Sequence, residues 1–139
     1  MKIKIVSLLI MLICSCKDNH PNAPYGCGQT FYYKSYDFKH HLIVQGRLEI
    51  TFSDSDEISG TWNLQKLGNP QNIGPQSGTG ELVGGLINKD SIWIELNPQF
   101  KDNNLQLRAT YTKTVITGKW LWITYIGITN QGYFNATLN

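Results

Sequence analysis

The side chains able to do chemistry are few in this chain, and their spacing suits none of the common reactions. Cysteine stands at Cys14, Cys16 and Cys27, and neighbouring histidines at His40 and His41. A Cys-His nucleophile needs a base within reach and a third group to orient it, and nothing in the spacing supplies either. His40 and His41 precede an alternating stretch; on an extended chain neighbours face opposite ways, so the pair does not share one metal ion. Asp54, Asp56 and Glu57 lack the glycine and the twelve-position ligand spacing of a calcium loop and read as a solvated turn. There is no Gly-x-Ser-x-Gly elbow, no phosphate-cradling glycine loop and no zinc spacing. The expectation is a protein that binds rather than catalyses, with no catalytic residue, metal or cofactor.

The N-terminus carries an address. Lys2 and Lys4 precede an apolar run from Ile5 to Ile13, broken only by Ser7, and then the small residues Cys14, Ser15 and Cys16. A charged start, a short apolar run and a small-residue cleavage zone make a secretory signal, too short to span a bilayer core of roughly 30 Å. The end of the run resembles the bacterial lipoprotein lipobox, with Ile13 at its aliphatic position, Ser15 before the cut and Cys16 as the cysteine of the motif. Cys14 stands where that family more often has Ser, Ala or Thr. The resemblance implies that Cys16 becomes the first residue and carries a diacylglyceryl thioether and an amide-linked acyl chain, each buried CH2 adding about 0.8 kcal/mol of membrane affinity. The competing reading is an ordinary signal peptide cut nearby, with Cys16 a plain thiol. Lys17-Asp18-Asn19 is similar to the polar start of outer-membrane lipoproteins of Gram-negative type, some of which use it as a surface-export tag. The implied location is the cell outer membrane, on its periplasmic or its outer side.

The expected organisation is therefore a signal peptide over 1–15, a lipidated tether over 16–29 and a single domain over 30–139. The tether holds Pro21, Pro24, Gly26 and Gly28, together with Cys27 as the remaining thiol. Removing Lys2 and Lys4 takes Lys plus Arg from 12 to 10, against 10 Asp plus Glu, so the mature chain is neutral. Its basic residues are scattered singly, which excludes the basic face a nucleic-acid partner requires.

What remains must be positioned by strands. Aromatic residues make up 12% of the chain and charged residues only 16%, with 13 glycines, a balance that suits a compact all-β protein. Ile58-Ser59-Gly60-Thr61-Trp62 is echoed by Ile116-Thr117-Gly118-Lys119-Trp120. Both copies alternate apolar or small residues with polar ones, as a half-buried strand does. Around them fall Phe31 to Tyr36, which alternates poorly, Leu42 to Phe52, Glu57 to Gln65, Ser77 to Ile87, Ser91 to Leu96, Leu105 to Lys113, Val115 to Tyr125 and Thr129 to Leu138. Leu42, Val44, Gly46, Leu48, Ile50 and Phe52 are expected on one buried face, and Trp62, Trp120 and Trp122 on another part of the same interior. Eight sequential strands with short joints most economically close into one antiparallel up-and-down β-barrel, which also removes exposed edges. A β-sandwich and a lipid-facing outer-membrane barrel are the alternatives. An indole opposite a glycine is the expected packing, from Gly80, Gly84 and Gly132 on the strand that follows each Trp strand.

These features resemble the calycin group of barrels, the lipocalins and avidins, over Leu42 to Leu138, through Gly60-Thr61-Trp62 and Gly118 to Trp120. Avidins hold a ureido group with polar inward side chains; the inward positions assigned here are nearly all apolar or glycine, so biotin binding is not implied. Two modes of binding stay open. A small apolar ligand would be lined by Trp62, Tyr111, Trp120, Trp122 and Phe134. A filled barrel would instead engage an envelope protein through the joints Lys66 to Gln76 and Asn97 to Asn104, beside an outward patch of Trp93, Leu121, Ile123 and Tyr125.

Overall fold

The computed structural model describes residues 28–139; the leader, Cys16 and Cys27 lie outside them. Eight strands follow one another: β1 (Gln29–Tyr36), β2 (Leu42–Phe52), β3 (Glu57–Lys66), β4 (Gly78–Asn88), β5 (Ser91–Glu95), β6 (Asn103–Tyr111), β7 (Val115–Thr124) and β8 (Gly127–Leu138). Each pairs antiparallel with the next, and β8 returns to β1, closing an up-and-down barrel in sequence order. Closure excludes the sandwich.

Alternation along the strands decides what is inside. Leu48, Ile50, Leu82, Ile92, Ile94, Leu105, Leu107, Ile116 and Ala136 are buried in one continuous apolar core. Between them the strands turn Lys34, Arg47, Glu49, Glu81, Arg108 and Lys119 to solvent. Those charges on the outer wall are the reverse of the apolar belt a lipid-embedded barrel presents.

The two Gly-x-Trp copies do the same job on opposite sides of the barrel. A Cβ on Gly60 would collide with the Glu49 carbonyl of β2, and one on Gly118 with the Arg108 carbonyl of β6, so each glycine lets its strand press against the one before. Each indole then leans over the strand after: Trp62 is paired with Gly80, and Trp120 with Gly132. A Cβ would lie 2.8 Å from the Trp62 ring at Gly80 and 2.6 Å from the Trp120 ring at Gly132. The expected indole-on-glycine packing is found at Gly80 and Gly132, whereas Gly84 lies between Ile58 and Ile94 and abuts the Trp93 carbonyl.

Two edges of the expected interior are displaced. A register shift beside Ser35 and Tyr36 puts Leu42 opposite Tyr36 and turns it outward, 37% exposed, while Ile43 and Val44 are both buried. Leu138, at the last turn of the wall, is also open to solvent. β1, whose alternation is poor in sequence, is a regular strand with Phe31, Tyr33 and Ser35 inside.

The two ends of the barrel differ. The chain enters at Gln29 beside the outgoing Leu138, with the Asn139 N–H donating to the Thr30 carbonyl (2.9 Å), and the short turns 53–56, 89–90 and 112–114 lie at this same end. The connections 37–41, 67–77, 96–102 and 125–126 lie at the far end. The longest of them, 67–77, folds back over the barrel: Ile73 and Gln76 are buried.

Candidate functional site

Polar chemistry reaches the interior most fully at the far mouth. Inward positions along the strands are mostly apolar or glycine; Gln29, where the chain enters, buries an Oε1 that has no hydrogen-bond partner among the described residues, and β1 directs Tyr33 and Ser35 inside at the other end, both fully buried. Burying a hydroxyl costs free energy unless it finds a partner. Both hydroxyls find the same one: Tyr33 Oη donates to Gln76 Oε1 (3.0 Å) and Ser35 Oγ donates to that atom as well (2.9 Å). Gln76 Nε2 in turn donates to the Ile73 carbonyl within its own loop (2.7 Å). Burial pushes the Tyr33 hydroxyl far above the ordinary tyrosine range, partly offset by its hydrogen bonding with Ser35, so it stays a donor at any physiological pH.

Further contacts attach the 67–77 loop to the barrel, including those of Ile73, which joins the buried core. Asn130 Nδ2 donates to the Asn72 carbonyl (2.7 Å), and the Leu67 N–H donates to the Ile43 carbonyl (2.9 Å). Gly74, with φ +65°, lies on Trp122 so closely that a Cβ would come within 2.6 Å of the ring. A crevice of about 310 Å3 runs along the edge of the loop. Leu67, Pro70, Gln71 and Ile73 form one bank, Asp37 and His41–Ile43 the other, and Trp120 and Asn130 line it too. On its rim, Asp37 accepts from the His41 N–H (2.9 Å) and the Lys39 N–H (2.8 Å) and pairs with His41 Nδ1 (3.1 Å). These bonds, the His41 N–H first, hold its carboxyl below the usual aspartate range. His40 faces elsewhere and stacks on Tyr133, ring centroids 5.0 Å apart.

The five side chains expected to line a ligand are not gathered in one place. Trp62 donates from Nε1 to the Leu96 carbonyl (2.6 Å) and to that of Glu81 (3.2 Å); Trp120 donates to the Tyr36 carbonyl (2.9 Å). Both indoles are thus tied to backbone inside the core. Trp122 is half-buried under the loop, its Nε1 donating to Asn103 Oδ1 (2.9 Å). Phe134 stacks on Tyr33 at 5.5 Å, which brings Phe134, Trp120 and Trp122 to the far half of the barrel. Tyr111 packs on Phe52 at 4.8 Å, towards the end where the chain enters, and burial pushes its hydroxyl up to about 12.

Sequence reasoning missed Tyr33, Ser35 and Gln76. The parity of Phe31, Tyr33 and Ser35 was a usable signal for the first two. Gln76 carried none, because only the tertiary fold brings a loop glutamine inside. Of the expected outward patch, Tyr125 is exposed, Trp93 and Ile123 are half-buried and Leu121 is covered. Three further grooves, of about 690, 470 and 480 Å3, are lined mainly by outward side chains of the wall. Among the described residues no three His, Cys, Asp or Glu side chains are placed to hold a metal. No family model, curated protein or solved structure matches this chain.

Proposed function

We propose that this is a lipid-anchored protein of the cell envelope, held through Cys16, that binds a protein partner with the far rim of its barrel. The observation that carries the reading is the sorting of exposed apolar side chains by end. Tyr125 (85% exposed), Ile126 (73%), Phe100 (62%) and Phe38 (55%) belong to the far-end connections, and Ile128 (58%) is the second residue of β8, just beyond one of them. At the other end Ile87 is comparably bare, and it stands apart from any such group. Large apolar groups held together in water mark an interaction surface. The connections that carry them sit consecutively around the rim, because β5, β6, β7, β8, β1 and β2 are neighbours in that order.

The orientation agrees with the tether. A chain anchored at Cys16 reaches the barrel at Gln29, so the rim is the end most remote from the attachment point along the barrel. The deep interior is taken up by core side chains, and the N–H groups of Trp62 and Trp120 are already satisfied. That favours the rim over an apolar ligand among the indoles.

The test uses a photo-crosslinking amino acid placed one site at a time in the full chain on intact cells. Positions Phe100 and Tyr125 are expected to give one shared crosslinked protein, and Asp54 and Lys89 none. The same product from Asp54 or Lys89, or no product from either rim position, overturns the reading of the rim. Native protein whose mass shows Met1 retained and Cys16 bare overturns the anchor.

A further inference from the structure

The polar cluster under the 67–77 loop goes beyond that proposal and stands on separate observations. Tyr33 and Ser35 are fixed on the wall of the barrel, whereas the oxygen they share is brought in by a loop. Two donors converging on one sp2 oxygen use both of its lone pairs, which is a recognition geometry for a carbonyl. A core needing only to be filled would be served more cheaply by apolar side chains here, since buried polar groups are tolerated only when every partner is present.

The loop is built to leave as a unit. It is bracketed by Gly68 (φ +69°) and Gly78 (φ +115°), where an added Cβ would touch nothing, so these glycines serve the backbone and not the packing. The bond from Gln76 Nε2 to the Ile73 carbonyl lies within the loop and survives its movement. The two hydroxyls on β1 would lose their partner, as would Asn130 Nδ2, which donates to the Asn72 carbonyl, and Ile73 would leave the core. The crevice beside the loop has the buried side chains of Ile73 and Trp120 on its lining.

We infer that the 67–77 loop is a displaceable plug, and that Tyr33 and Ser35 form a site for the carboxamide of a small aromatic molecule, occupied in this structure by the carboxamide of Gln76. The class of ligand follows from the lining. The hydrogen bonds given for the buried cluster of Tyr33, Ser35 and Gln76 include no charged side chain, so a carboxylate held there would be buried without a counter-charge, which disfavours it against a neutral amide. Phe134 stacked on Tyr33, with Trp120 and Trp122 on the same half of the barrel, offers aromatic surface for the body of the molecule.

Benzamide is the probe, with benzoate and toluene as matched compounds lacking the neutral amide, titrated by calorimetry and intrinsic fluorescence. Gln76→Ala removes the internal competitor and is expected to bind benzamide about 10-fold or more tighter than the unaltered chain, because a closed state lowers apparent affinity by the fraction that is open. Benzoate and toluene should bind more weakly to the same variant. Adding Tyr33→Phe should abolish the preference for benzamide over toluene. Equal affinity of Gln76→Ala and the unaltered chain, no preference over toluene, or a preference that survives Tyr33→Phe overturns the inference. Should Gln76→Ala not fold, the side-chain amide resonances of Gln76 in the unaltered chain decide it. Saturating benzamide must move them to solvent-exposed values, and unmoved resonances overturn the proposal. None of these outcomes depends on the crosslinks from the rim.

Discussion

Single side chains here set how the protein answers to pH. Tyr33 and Tyr111 are held neutral by burial, Tyr111 with its pKa pushed up to about 12 and Tyr33 further still. In the unfolded chain both lose their protons near pH 10. Their folded pKa values are raised, so below about pH 10 the contribution to stability is complete. Above it the unfolded state binds fewer protons than the folded one and stability falls, by about 1.4 kcal/mol per pH unit for each tyrosine. Urea unfolding followed between pH 9 and 11.5 should show this decline, and Tyr111→Phe should make it shallower. An unchanged slope in that variant would mean the hydroxyl ionises within the fold. The same scale shows what the sequence leaves hidden. Phe31, Tyr33 and Ser35 share a parity, but Ser35 inside and Tyr32 outside invert the usual pattern, and the reason for the inversion, the amide of Gln76, lies 41 residues further along the chain from Ser35.

At the scale of elements, the alternating strands were legible and their ends less so. β3 carries an uninterrupted period of two, β2 carries it from Val44 onward and β7 as far as Trp120, and each starts at the expected residue. Leu42 is misread because the register shift at Tyr36 cannot be seen in composition: in the apolar run Leu42-Ile43-Val44 either phase fits until β1 fixes it. The joint between β7 and β8 is shorter than its residue types suggest, since Gly127 (φ +99°) lets β8 begin at once. The packing of strand on strand through Gly132 is the sharpest consequence of this layout. A methyl there would meet the Tyr36 carbonyl and the Trp120 indole together, and neither is free to withdraw, because Trp120 Nε1 is bonded to that same carbonyl. Gly132→Ala is expected to destabilise the protein by about 2–3 kcal/mol, the upper range for overpacking a core. Gly127→Ala relieves no such contact and tests only the backbone. Equal unfolding midpoints for the Gly132→Ala variant and the unaltered chain would sink the account of the Gly-x-Trp repeat.

For the molecule as a whole, eight short strands joined in order made a closed barrel the first expectation, and the pairing of β8 with β1 decided it against the sandwich. The asymmetry of its ends was only half legible. The long joints Lys66 to Gln76 and Asn97 to Asn104 were visible, but that one would cover the mouth and send a glutamine inside depends on φ values and contacts that no pattern encodes. The hydrogen-bonded seam between the first and last strands has one more outcome. Since Thr30 and Asn139 already touch, linking the two termini with a few glycines and reopening the chain between Lys89 and Asp90 would produce a circular permutant with every ladder retained. Such a permutant should give the same near-ultraviolet dichroism from its indoles, with its new N-terminus at the same end of the barrel as Gln29. Any barrel this ring-like can be restarted at a turn without redrawing the cylinder.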